Sequence, residues 1–295
     1  MNGVLIIDKP SGLTSHDVVH RVRRILNERS VGHLGTLDPM ATGVLPLVIG
    51  SFTRLAQFYL SSEKCYEGTI RFGFSTDTYD AEGEPTSAPA AVNVSREELS
   101  VIAAKFCGVI SQTPPPFSAK KIKGVPAYKL ARAQKQVKLE PVEVEIKEFE
   151  ILNFAGDRAC FRARVASGTY MRSVAHDMGQ LLRCGAHLES LRRTSVAEFT
   201  LADSHTLEEV ASAQLAALGD LFVHPRKLLP QFPSVTADEV STAHVRSGRT
   251  VNLPELSRAR QVKVFSGQRD LIAIAARVAG TLFHPKIVLA GASRC

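Results

Sequence analysis

Tryptophan is absent from the 295 residues and aromatics reach only 6%, so an aromatic in a polar setting stands out. No apolar run approaches the ~20 residues that a membrane helix needs. The stretch 271–276 stops at Arg277, and the run that opens at Val4 stops at Asp8 after four residues. That N-terminal run also lacks a basic flank and does not read as a secretory signal. Cysteine is sparse, odd in number and scattered: Cys65, Cys107, Cys160, Cys184 and Cys295, with no C-x-x-C. This argues against a disulfide framework and a structural zinc, and for idle thiols in a reducing cytoplasm. Acids are outnumbered, 29 against 36 Lys+Arg, for a net charge of +7. That excess is compatible with a nucleic-acid partner without establishing one. Apolar residues at 44% and charged residues at 22% exclude wholesale disorder. The length favours one large domain plus a small one.

Residues 3–7 read as a strand closed by a turn at 8–12, and Thr14 or Ser15 can cap a helix with Val18, Val22, Ile25 and Leu26 on one face. The Gly-punctuated loop 31–39 precedes an apolar run at 44–49 and a short helix at 53–60. Tyr66, Ile70, Phe72 and Phe74 suggest a strand, residues 75–85 are polar and turn-rich, and Ser95-x-x-Glu98 is a capping box for a helix that Gly108 ends. Alternation predicts strands near 142–152 and 159–166. A helix follows Thr169 with Val174, Met178, Leu181 and Leu182 inward, and another starts at Thr206-x-x-Glu209. Beyond Pro225 the texture changes. Pro230 and Pro233 mark a linker, Thr236-x-x-Glu239 is expected to cap a helix ended by Gly248, and short strands are expected at 262–265, 271–275 and 287–289 around a hairpin turn at 266–268. This predicts a small, mostly β domain.

Three features carry chemistry. In Gly32-His33-Leu34-Gly35-Thr36-Leu37-Asp38-Pro39, the glycines permit tight turns and Pro39 biases Asp38 toward an extended backbone. Its carboxylate could project into a cleft, or accept backbone hydrogen bonds in a turn. His33 has no second His three to five residues on, which argues against metal ligation. Arg172 stands in the first turn of a helix, where the dipole favours acids, and this hints at an anionic partner; a solvated Arg fits equally. The stretch 117–138 holds seven Lys/Arg and no acid, interleaved with Phe117 and Tyr128, the composition of a nucleic-acid-contacting arm. A second stretch, 158–193, holds seven Arg against Asp177 and Glu189. The two stretches together point to an extended acidic partner.

Five blocks in order resemble the bacterial tRNA pseudouridine synthase B, or TruB, family: GVLIIDKPSGLTSHDVV (3–19), VGHLGTLDPMATGVLPLVIG (31–50), KCYEGTIRFGFSTDTYDAEGE (64–84), TPPPFSAKKIKGVPAYKLAR (113–132) and SGTYMRSVAHDMGQLLRCGAHLESLRRT (167–194). They span roughly two thirds of the chain. The resemblance implies an α+β fold: a pseudouridine-synthase catalytic domain, residues 1–228, with a central, mainly antiparallel sheet and an inserted basic thumb near 117–140. A small, mostly β PUA-like C-terminal domain at 229–295 would reach the acceptor-stem side. The implied activity is isomerisation of uridine 55 in the tRNA T loop to pseudouridine, without metal or organic cofactor. Asp38 matches the catalytic Asp, acting as nucleophile at C1′ or as base and charge stabiliser on a glycal route. Arg172 matches the Arg that pairs with it, and Tyr66, in K-x-Y, the Tyr that stacks on the flipped base. His33, Lys9, Tyr170 and Leu191 match RNA- or pocket-contacting residues, with a buttress for the Asp38 loop as a second role for Lys9. Lys120, Lys121 and Lys123 belong to the thumb, which would close over the T arm. The implied partner is tRNA, with no guide RNA and no membrane, for a monomer in the cytoplasm. Three rivals are an RNA chaperone using the same basic arm, a guide-RNA-dependent synthase, and a metal-independent hydrolase using Asp38 and His33. The intact Asp38, Tyr66 and Arg172 set disfavours the first as sole activity, and the long insertion disfavours the second. The third leaves Tyr66 and the arm without a purpose.

Overall fold

Alternate residues of the first strand, Gly3–Lys9, point to opposite faces of a sheet, and both faces are covered: Leu5 and Ile7 enter one apolar cluster, Val4 and Ile6 another. The computed structural model describes residues 1–118, 139–213, 218–253, 256 and 258–289, with the backbone alone at 121, 122, 125 and 126. In chain order the strands are β1 (Gly3–Lys9), β2 (Val31–His33), β3 (Thr42–Ile49), β4 (Lys64–Phe72), β5 (Gly108–Gln112), β6 (Lys121–Ile122), β7 (Val125–Pro126), β8 (Val142–Ala155), β9 (Arg158–Val165), β10 (Ala186–Val196), β11 (Phe199–Thr200), β12 (Ser234–Ala237), β13 (Val251–Asn252), β14 (Gln261–Ser266), β15 (Asp270–Ala279) and β16 (Leu282–Val288). The α-helices are α1 (Ser15–Ile25), α2 (Arg96–Ala104), α3 (Met171–Leu181), α4 (Leu207–Ser212) and α5 (Glu239–Arg246).

The central sheet runs β1-β3-β10-β4-β9-β8-β5, with β2 on β3 and β11 on β10. Its pairings are antiparallel except β3 with β10. This is the expected α+β architecture around a mainly antiparallel sheet. Helices α1 to α4 contribute to one apolar cluster on the sheet, through Val18 and Val22, Leu99 and Ala103, Val174 and Met178, Leu207 and Val210. Three of them start as their sequences dictate. Thr14 with Asp17, Ser95 with Glu98 and Thr206 with Glu209 each form a reciprocal capping box.

A second sheet, β12-β14-β15-β16-β13, follows the proline linker. Phe265, Leu271, Ile274, Ile287 and Leu289 share a cluster with Val4, Ile6, Val44 and Val48 of the central sheet. Polar ties reinforce the contact: Ser51 Oγ donates to Leu289 O at 2.6 Å and Arg54 Nη1 to Val288 O at 2.7 Å. Tyr59 Oη donates to Glu198 Oε1 at 2.6 Å, and the same oxygen accepts from Leu229 N at 2.9 Å.

Several local expectations need correction. The helix expected at 53–60 is a 3₁₀ helix, Gly50–Tyr59. Helix α2 ends at Ala104, ahead of Gly108, which instead opens β5 with φ +98°. Leu181 is 58% exposed because α3 packs through Val174, Ala175 and Met178 and turns Leu181 outward. Thr236 lies in β12, and α5 is capped by Asp238, whose carboxylate accepts from Ser241 N at 2.7 Å. The basic stretch 158–193 is largely spent on internal partners. Arg158 pairs with Glu189, Arg162 with Glu67, Arg164 with Glu148, Arg172 with Asp38 and Arg192 with Asp8. Arg162 and Arg164 face their carboxylates on the adjacent strand, and five of the seven arginines have an acidic partner within the protein.

The parallel β3–β10 contact brings Arg193 beside Gly43. Gly43 has φ +99°, and a Cβ there would overlap the Arg193 carbonyl oxygen. Gly43→Ala is expected to lower unfolding free energy by about 2–4 kcal/mol through strain and backbone displacement. Urea titration checks this, and a midpoint equal to wild type contradicts it.

Candidate active site

Residues 34–41 join β2 to β3, with Gly35 at φ +110°, a conformation suited to glycine. The loop is held from several sides. Leu34 N donates to Pro46 O at 2.9 Å, Leu37 N to Ser15 Oγ at 2.8 Å, and Ser15 Oγ in turn to Leu37 O at 3.1 Å. Arg193, fully buried, donates from Nε to Val44 O at 2.8 Å, from Nη2 to Gly35 O at 3.1 Å and from Nη1 to Thr36 O at 3.3 Å. Lys9, also fully buried, donates to Leu13 O at 2.7 Å, Pro10 O at 2.8 Å and Pro39 O at 3.1 Å. Buried cations are costly unless fully hydrogen-bonded, and here carbonyls do that work. Burial pushes the Lys9 ammonium down to about 8. Lys9 thus braces the Asp38 loop through its carbonyls, the second of the two roles expected of it, and its charge acts on Asp38.

Asp38 meets Arg172, the second residue of α3. Arg172 Nη2 donates to Asp38 Oδ1 at 3.1 Å, and its Nε lies 2.9 Å from Oδ2, off the line of a hydrogen bond. Nη1 turns to a second acid, 3.2 Å from Asp80 Oδ2, and also reaches Thr78 O at 3.1 Å. Nη2 further donates to Phe117 O at 2.9 Å. The guanidinium is 4% exposed, whereas the Asp38 side chain keeps 34% of its surface open to the pocket. The anionic partner that Arg172 lacked in sequence is thus a pair of carboxylates. Pocket walls desolvate Asp38 and raise its pKa above 3.8; the Arg172 charge opposes the rise and the Asp80 charge adds to it.

Around Asp38 opens a cavity of about 350 Å³, at the small end of ligand pockets and of nucleoside size. Tyr66 from β4, Tyr170, Leu191 from β10 and His33 from β2 all line it. Tyr170 is held through its backbone: its N–H donates to Gln112 Oε1 at 2.8 Å, and its carbonyl accepts from Gln112 Nε2 at 3.1 Å. Burial raises the Tyr170 phenol pKa. Burial lowers that of His33, which favours a neutral ring, and its Nδ1 has no protein partner among the described residues. The structure therefore brings together Asp38, Arg172, Tyr66, Tyr170, Leu191 and His33. The side chains of Lys120, Lys121 and Lys123 lie outside the described residues. Among the described residues, no three His, Cys, Asp or Glu side chains gather as a metal-ligand set.

Two family models match in tandem: TruB family pseudouridylate synthase (N terminal domain) over residues 23–171 and tRNA pseudouridylate synthase B C-terminal domain over residues 172–223. A Solibacter usitatus protein called tRNA pseudouridine synthase B is 51% identical over 295 residues, covering 98% of this chain and 100% of that protein. One of the same name from Azoarcus sp. (strain BH72) is 40% identical over 271 residues, covering 92% and 90%. The chain belongs to the TruB family. Its fold is also that of the crystal structure of a Cbf5-Nop10-Gar1 complex, with TM-score 0.72 and 24% identity, covering 98% of this chain and 85% of that one.

The junction between the two TruB segments falls at Arg172, in the first turn of α3, so each segment supplies one member of the Asp38–Arg172 pair. Sequence reasoning missed Asp80, Gln112 and Arg193. Asp80 stood inside the polar stretch 75–85; a buried role could have been suspected from the crowding of Thr76, Asp77, Thr78 and Asp80, where the threonine hydroxyls donate to Asp80 and the two carboxylates accept from the Glu82 and Glu84 amides. Gln112 carried no signal beyond its place before three prolines.

The electrostatics fix a titration. The Asp38 carboxyl carbon, followed by NMR, is expected to titrate with a midpoint above 3.8. In Asp80→Asn the midpoint moves down, because a like charge is gone and Arg172 turns wholly to Asp38. A wild-type midpoint at or below 3.8, or none of this movement, contradicts the account.

Proposed function

We propose that this TruB-family chain converts uridine 55 in the T loop of tRNA to pseudouridine, with Asp38 at the centre of the chemistry. The observation that carries the reading is the Asp38 carboxylate, gripped by Arg172 yet open to a nucleoside-sized pocket whose wall includes Tyr66. A uridine stacked in a folded loop cannot rearrange in place, so it is flipped into the pocket at a cost of a few kcal/mol. The N1–C1′ bond breaks, the uracil turns while enclosed, C5 bonds to C1′, and the C5 hydrogen leaves to solvent as N1 takes up a proton. Asp38 serves either by attacking C1′ or by assisting departure through a glycal.

The surroundings suit those tasks. Arg172 favours the ionised carboxylate and holds one rotamer. Tyr66 offers a face for the uracil and a candidate base for the C5 proton. Tyr170 and Leu191 close the pocket around the base, and a neutral His33 at its rim contacts RNA. The basic insertion, including Lys120, Lys121 and Lys123, adds salt-dependent affinity for the T arm. Residues 1–228 form the catalytic domain and 229–295 a PUA-like unit toward the acceptor stem. The protein acts in the cytoplasm as a monomer without guide RNA, and the steps above call for no metal or organic cofactor.

The test uses a T-arm stem-loop carrying tritium at C5 of its uridines. Wild type is expected to release tritium to water in the presence of EDTA, from one T-loop uridine. Asp38→Asn should slow release at least ~10³-fold, since it removes a group that acts on the reacting atoms. Its RNA affinity should stay close to wild type. Turnover retained by Asp38→Asn removes Asp38 from the chemistry, and tight binding without release from stem-loop or full-length tRNA favours a chaperone.

A further inference from the structure

Among the described residues of the central sheet, three cations meet no carboxylate: Lys9 and Arg193, both fully buried on backbone carbonyls, and Lys64, which alone of the three lines the Asp38 cavity. Beside Lys64 on β4 and its neighbours, Arg162, Arg164 and Lys147 all meet carboxylates of Glu67, Glu148 and Glu63. Lys64 meets none among the described residues: its Nζ donates to the Ser62 carbonyl at 2.8 Å, and the charge that acts on it is another cation, Arg193. Half-buried, it lines the Asp38 cavity, and its Cε passes Gly35 closely, 3.3 Å from where a Cβ would stand. Glycine at 35 thus leaves room for the lysine stem against the catalytic loop. Burial first, and then Arg193, bring its pKa down to about 8, so the group remains mainly cationic at neutral pH.

Asp38 and Asp80 both meet Arg172, whereas Lys64, which lines the same cavity as Asp38, feels the charge of the buried Arg193. The same cavity is lined by Ala56 on the 3₁₀ helix and by Leu60, which follows that helix and is 73% exposed. A half-desolvated cation without a counter-ion, flanked by exposed apolar surface, suits a sugar-phosphate whose ribose needs an apolar neighbour and whose phosphate needs a charge.

We infer that Lys64 forms a phosphate subsite, taking a phosphodiester next to the flipped uridine while Leu60 packs against the adjoining ribose. This rests on the proposed reaction and adds to it the group that anchors the flipped nucleotide by its backbone. The contact forms when the nucleotide leaves the stack, and so it holds the extruded state. It is a point-charge contact and carries no base specificity.

Three measurements test it in an Asp38→Asn background, where binding is read without turnover. Lys64→Met should weaken stem-loop binding about tenfold and reduce the salt slope by about one, as expected for a lost phosphate contact. Lys64→Arg should restore both. A stem-loop with a neutral methylphosphonate on the 5′ or the 3′ side of the target uridine should show the same loss with Lys64 intact. At one of the two positions, that loss should not add to Lys64→Met. Losses that add at both positions, or an unchanged slope in Lys64→Met with a wild-type melt, overturn the subsite. The wild-type tritium assay run alongside separates the two failures: release with no Lys64 effect sinks only the subsite, and no release sinks the reaction on which it rests.

Discussion

One guanidinium ties the site together. Arg172 reaches Asp38 on the β2–β3 loop, Asp80 and the Thr78 carbonyl on the segment after β4, and the Phe117 carbonyl at the root of the basic insertion. Three parts of the chain far apart in sequence therefore meet on one side chain from a fourth. Breaking a buried ion pair by removing one partner costs about 3–5 kcal/mol, and here less, because Asp38 opens to the pocket. Burial raises the pKa of Asp38, the Arg172 charge opposes that rise, and the second carboxylate, Asp80, adds to it. The arrangement keeps a carboxylate reactive and oriented without silencing it in a closed salt bridge.

The loop that carries Asp38 is fixed by a different device. Lys9 and Arg193 spend their charges on six backbone carbonyls, among them Gly35, Thr36 and Pro39 on either side of Asp38. Carbonyls accept these bonds without neutralising the cations, so the loop sits over positive charge that favours an ionised Asp38. The parallel contact of β3 with β10 makes this possible, because it is what brings Arg193 under the loop. The pocket wall is likewise joined to the second sheet: Tyr59 lines the cavity and donates to Glu198, which also binds the backbone of the linker at Leu229.

Much of this was legible in the residues. Capping patterns at Ser95 and Thr206 marked two helix starts, because a hydroxyl and a carboxylate three residues apart satisfy one another locally, and of Thr14 and Ser15 the structure takes Thr14 for a third. Alternation marked β8 and β9, and the G-H-x-G-x-L-D-P block singled out Asp38. Arg172 betrayed itself by standing at the wrong end of the helix dipole. Thr236 failed as a cap because it lies in β12, paired with β14, and the helix starts two residues later with Asp238 as its cap.

The sequence by itself determined most strands and helix starts and the family, and it singled out Asp38, because those depend on neighbours within a few residues or on motifs in order. Only the tertiary structure decided that Asp80 shares Arg172, that Lys9 binds backbone carbonyls, that most arginines of 158–193 are matched, and that Lys64 is not. The physical reason is common to all four. Whether a charge is spent or free depends on what lies within about 4 Å of it, and in a sheet that distance is set by strand order and register.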